Sequence, residues 1–135
     1  MSVIDDQCRV VLDGVEGGVG FAVVDLDSTL LFGVAHNVSY FTQEYLDAVA
    51  GAAVDMFRGR TITAVETLIA SARNADFKRT MQEVQTQTDH TLHFMHIMED
   101  RPDILLVLIT GRGVAPEAGW NAVRAAAPPI AAILP

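Results

Sequence analysis

The 135-residue sequence is short of cysteine, with one, and of basic side chains, with nine against seventeen acids. A lone Cys8 closes no internal disulfide, so a reducing, cytoplasmic setting is expected; its plain role is that of a small apolar residue on a first helix. A formal net charge of −8 argues against nucleic acid, which is bound largely by neutralising phosphates, and against docking on anionic lipid. The acidity reads as a means of solubility. Long apolar runs are missing too. Ile104–Ile109, the longest, is far short of the roughly 20 residues needed to span a bilayer, so no membrane insertion is expected. The start, MSVIDDQC, has neither a basic segment nor an apolar core and reads as no secretion signal. Half of the residues are hydrophobic, enough for the core of one domain spanning residues 1–135.

Glycine is concentrated in Gly14-Val15-Glu16-Gly17-Gly18-Val19-Gly20. A phosphate loop would need a following Gly-Lys-Ser/Thr and a preceding strand; here the glycines follow the helical stripe of Val3–Val15 and act as a stop and turn. Next comes Gly20 to Gly33, GFAVVDLDSTLLFG, which reads in two ways. As local structure it is a hairpin, Phe21–Val24 and Thr29–Phe32 around the polar Asp25–Ser28. As a motif, Asp25-Leu26-Asp27-Ser28-Thr29 after an apolar strand resembles the haloacid dehalogenase superfamily. That resemblance implies a Mg²⁺-dependent phosphatase with Asp25 as nucleophile and Asp27 as acid/base. Ile104–Thr110 matches the strand that would bring a Thr, but the only lysine, Lys78, precedes it and Glu117 is the only acid after it. The missing half of the site outweighs the short match, and the chain reads as no enzyme and without a cofactor.

Ser39 or Thr42 caps a helix running to about Arg58, broken at Arg58-Gly59-Arg60. Thr63-Ala64-Val65-Glu66 has the form of a capping box opening a further helical run with Val65, Leu68, Ile69 and Ala72 apolar, stopped by Asn74 and Asp76. Phe77–Thr88 and Leu92–Glu99 read as strands around Thr88-Asp89-His90. Asp103–Thr110, apolar on both faces, reads as a central strand. Pro116 opens a last helix with Trp120, Val123 and Ala127 inward, ended by Pro128-Pro129. The expected class is α+β: one five-stranded antiparallel sheet with helices packed on it, in the order helix, two strands, helix, helical piece, three strands, helix.

That order, with GFAVVDLDSTLLFG as first hairpin, the alanine-rich helix Phe41–Phe57 ending in Met56-Phe57, and Asp103–Thr110 entering a helix through a Gly-containing turn, resembles the roadblock family. This family includes dynein light chains and bacterial regulators of small GTPases. The likeness covers about residues 14–127, with Thr61–Arg73 as an inserted helical segment. It implies a homodimer paired through the long helix and third strand, with Ala48, Gly51, Ala52, Asp55, Thr80, Gln82 and Val84 at the interface. It also implies a regulatory or scaffolding role, with a small GTPase or another protein as partner. A small-ligand sensor of the same shape is a further alternative.

Other groups have plainer readings. His90, His93 and His96 suggest a metal site only on a helix; on a strand, His93 and His96 point to opposite faces. Met81, Met95 and Met98 read as core filler, Trp120 as a core anchor, and Arg112 as an exposed loop arginine.

Overall fold

The residues of Ile104–Gly111 (β5) from Ile104 to Thr110 are all buried, and they alternate between two cores. Ile104, Leu106 and Leu108 belong to one and Leu105, Val107 and Ile109 to the other, as period-two side chains of a doubly covered strand must. In the computed structural model, which describes residues 2–135 with Met1 outside the described residues, β5 is the middle of a five-stranded antiparallel sheet. Its neighbours are β1 (Gly18–Asp25) and β4 (Thr91–Ile97), and its edges are β2 (Leu31–His36) and β3 (Glu83–Gln87), in the order β2-β1-β5-β4-β3. The α+β class and the single sheet are as expected.

Helices cover both faces. On the first, α1 (Val3–Asp13) brings Cys8 and Leu12, and α4 (Pro116–Ala131) brings Val123, Ala126 and Ile130, onto Phe21, Phe94 and Leu108. On the second, α2 (Gln43–Arg58) buries Leu46, Ala50, Ala53 and Phe57 over Val24, Met95 and Val107. Thr42 caps α2, its hydroxyl accepting from the Tyr45 amide at 3.3 Å. Burial and the nearby Asp5 push the Cys8 thiol up to about 12, so it is no nucleophile at neutral pH. Met95 and Met98 are buried core residues. Among the described residues, no helix is long and apolar enough to cross a membrane.

Several boundaries differ from the sequence reading, each for a physical reason. The second hairpin strand starts at Leu31 and runs past Gly33 to His36. Gly33 is a packing site, because a Cβ there would lie 2.4 Å from Ile4 Cγ2 of α1. The helix α3 (Arg60–Ala72) begins directly after Gly59, with no side-chain cap, so Thr63–Glu66 forms no capping box. Gly59 permits the handover, since a Cβ there would sit 2.3 Å from the Asp55 carbonyl oxygen. Pro128 and Pro129 do not stop α4, which continues to Ala131; the fully buried Ile130 holds the last turn in place despite two missing helix bonds. The third strand is shorter than expected, Glu83–Gln87 instead of Phe77–Thr88. The amides of Thr80 and Met81 are engaged by Glu66 and so are withdrawn from any ladder.

Candidate interaction surface

The acidic motif builds a turn. Asp25 Oδ1 accepts from the Asp27 amide at 3.1 Å and Oδ2 from the Ser28 hydroxyl at 2.7 Å, while Thr29 adopts the left-handed region at φ 65°. Asp103 closes on the pair, with single oxygens of Asp25, Asp27 and Asp103 all within 4.8 Å of one another. These are the described carboxylates placed to hold a cation, yet the phosphatase arrangement is not assembled. β1 and β5 are antiparallel, with Asp25 opposite Ile104 and Gly18 opposite Thr110. Thr110 therefore stands at the far end of β5, about 20 Å away at roughly 3.3 Å per strand residue, and it is fully buried.

The three histidines are likewise not brought together. His90 is exposed in the β3–β4 turn. His93 and His96 point to opposite faces of β4; His93 Nε2 meets Thr91 Oγ1 at 3.0 Å, and His96 Nδ1 donates to Glu83 Oε2 at 2.8 Å. Burial lowers the His93 pKa.

The surface that stands out is formed by α2, α3 and β3. On α2, Ala48, Gly51, Ala52 and Asp55 recur at i, i+3, i+4 and i+7 and form one outward stripe. A Cβ added at Gly51 would meet nothing within 4 Å, so its own chain gives no reason for a glycine there. On α3 the inward side sets half-buried Ile62, Ile69 and Ala70 around an acid, and the outward side is apolar as well. Glu66 is its one buried residue, whereas Val65 is 45% and Leu68 69% exposed, with exposed Ala64 and Ala72 on the same side. That stripe carries no charge.

Glu66 acts as a clamp. Its carboxylate accepts from Arg79 Nη1 at 2.9 Å, from the Thr80 amide and hydroxyl, and from the Met81 amide at 3.3 Å. Arg79 Nη1 also donates to Thr63 Oγ1 at 2.8 Å. This ties α3 to the chain entering β3, an edge strand of the sheet. Of the expected interface residues, Ala48, Ala52, Asp55, Thr80 and Gln82 are exposed and Gly51 is half-buried. Thr80 and Gln82 lie before β3 and not in it; the Gln82 carbonyl accepts from the Ile97 amide at 2.9 Å. Val84 is half-buried against the α2-side core.

No family model and no curated protein matches the sequence. Solved structures do match. A Roadblock/LC7 domain from Streptomyces avermitilis aligns over 97% of this chain and 97% of its own, with a TM-score of 0.69 at 15% identity. The chain has the Roadblock/LC7 fold. MglB in a tetrameric arrangement aligns over 98% of this chain and 91% of its own (TM-score 0.72, 15% identity). The gliding protein MglB from Thermus thermophilus aligns over 98% and 92% (TM-score 0.68, 14% identity). In this roadblock-fold chain the candidate surface thus comprises the outer faces of α2 and α3 with the β3 edge. Val65 and Leu68 are the members that sequence reading left out. Their signal was present, as an apolar stripe, but a stripe does not say what covers it.

Proposed function

We propose that this protein is a non-catalytic, homodimeric regulatory or scaffolding module whose whole length forms one roadblock-like domain, with α3 as an insertion in the family's pattern. It works in a reducing, cytoplasmic setting. A small GTPase is the partner class, by analogy with the bacterial regulators of this fold. One observation carries the self-association: the outer stripe of α2 and α3 is built of small and apolar residues that its own chain does not use. Glycine in a helix interior costs roughly 1 kcal/mol relative to alanine, and at Gly51 nothing in the protomer demands it. Close approach by a second α2 supplies the reason. The uncharged Val65–Leu68 stripe limits repulsion between two chains of net charge −8, Asp55 being the one acid of the α2 stripe. The polar open edge of β3 offers backbone groups for pairing between copies.

Ala52→Arg and Leu68→Glu, made separately at exposed positions, are expected to stay folded and to shift the protein to monomer, read by sedimentation velocity alongside circular dichroism. A dimer unchanged by both substitutions places the interface elsewhere. For the partner, small GTPases from the same source are loaded with GDP or a non-hydrolysable GTP analogue and titrated calorimetrically. Saturable binding in one nucleotide state is the expected result; no binding in either state removes the GTPase reading.

A further inference from the structure

On the opposite face of the sheet, a groove of about 670 Å³ runs between the C-terminal half of α4 and the β3–β4 edge, floored by Met98, Ala127 and Ala131. Its two cationic candidates are already occupied. Arg124 grips Glu83 through Nε to Oε2 at 2.8 Å and Nη2 to Oε1 at 2.7 Å, and stacks over the Trp120 ring at 5.1 Å. His96 donates to the same carboxylate. Trp120 is in turn fixed by its indole N–H donating to Gln85 Oε1 at 2.9 Å. The Glu83 charge is thereby answered from within the groove.

Glu99 and Asp100, exposed on the groove wall, differ. Neither carboxylate has a hydrogen-bond or ion-pair partner among the described residues. Opposite them, Pro128 has no amide hydrogen, so the Arg124 carbonyl loses the partner that an α-helix normally gives it. Arg124, Ala127, Pro128 and Ala131 share the helix face that lines the groove, which puts that carbonyl on the same side. The helix C-terminus adds partial negative charge there. The groove thus presents acceptors and uncompensated negative charge above an apolar floor.

We propose that this groove binds a basic segment of a partner protein, with an arginine or lysine side chain reaching Glu99 and Asp100 while its methylenes lie on Met98, Ala127 and Ala131. An alkyl stem with a cationic head matches an apolar floor and an acidic rim. A metal ion matches less well, because among the described residues the only set of three or more potential ligand side chains close enough to share an ion is Asp25, Asp27 and Asp103, which lie elsewhere. The volume takes a few residues of peptide rather than a single side chain. Its acidic rim and α4 wall are separate from the outer faces of α2 and α3, and it meets the candidate dimer surface only at the β3 edge, where Gln82 also lines the groove.

The test is a titration of the ¹⁵N-labelled full chain with Ac-Gly-Arg-Arg-Gly-NH2, its Lys-Lys counterpart and Ac-Gly-Glu-Glu-Gly-NH2. Saturable amide shifts confined to residues 96–101 and 124–132 are expected with the basic peptides, and none with the acidic one. Glu99→Gln combined with Asp100→Asn weakens binding about fivefold, as two exposed pairs allow. The same charge change made at Asp6→Asn with Glu16→Gln leaves it within about twofold. Shifts spread over the whole acidic surface, or equal loss in both double variants, overturn the proposal.

Discussion

Glu66→Ala is expected to lower the free energy of unfolding by about 2–4 kcal/mol. Removing one partner of a buried ion pair typically costs roughly 3–5 kcal/mol, and Arg79, at 31% side-chain exposure, recovers part of this by meeting water. The Thr80 and Met81 amides lose their acceptor as well, each a desolvation penalty of about 1–3 kcal/mol where water does not reach. The same carboxylate gives a pH signature. Burial pushes its pKa up, but the Thr80 amide, the Arg79 guanidinium, the Met81 amide and the Thr80 hydroxyl together outweigh burial and hold it below the ordinary value of 4.5. A pKa depressed on folding contributes stability that is full above the unfolded value and is lost as pH falls through the folded one. Urea unfolding at pH 7 and at pH 3 checks this. The gap between the native chain and Glu66→Gln should be wide at pH 7 and narrow at pH 3, and an equal gap at both contradicts the clamp.

Gly119→Ala is expected to destabilise by about 2–3 kcal/mol, although alanine is the better helix former by up to roughly 1 kcal/mol. Its Cβ would lie 2.3 Å from Cζ and 2.4 Å from Cε2 of Phe94. That ring is fully buried and sits edge-on to Trp120, with centroids 5.3 Å apart. The clash can be relieved by lifting α4 off the sheet, which loosens Val123 and Ile130 as well. Thermal unfolding by calorimetry reads the loss; an unchanged or raised midpoint shows that the ring has room to move.

The two substitutions probe the two faces of the sheet, and those faces were unequally legible. β5 could be read because a strand apolar at every position has only one place in a sheet. The first hairpin could be read from its apolar runs and polar turn, although Gly33 hid three further residues by resembling a stop. Between Gly59 and Gln82 the helical piece was legible, and α3 covers nearly the residues expected. The capping box and the start of the third strand were misread because a long-range contact sets them. Glu66 looks like the end of a capping box, but it faces inward to collect the Thr80 and Met81 amides that an extended reading of Phe77–Thr88 assigns to a ladder. Pro128-Pro129 has the local form of a helix end, and only the packing of Ile130 decides otherwise. The same limit applies to the candidate surface. Small residues at Ala48, Gly51 and Ala52 are visible in one dimension, whereas the outward turn of Val65 and Leu68 follows from which side of α3 Glu66 occupies.

Self-association through that surface stands or falls on the molar mass in solution. Light scattering on a sizing column, over a range of concentrations, is predicted to give a stable mass near twice the chain's 14.6 kDa. A mass of one chain that does not rise with concentration contradicts it.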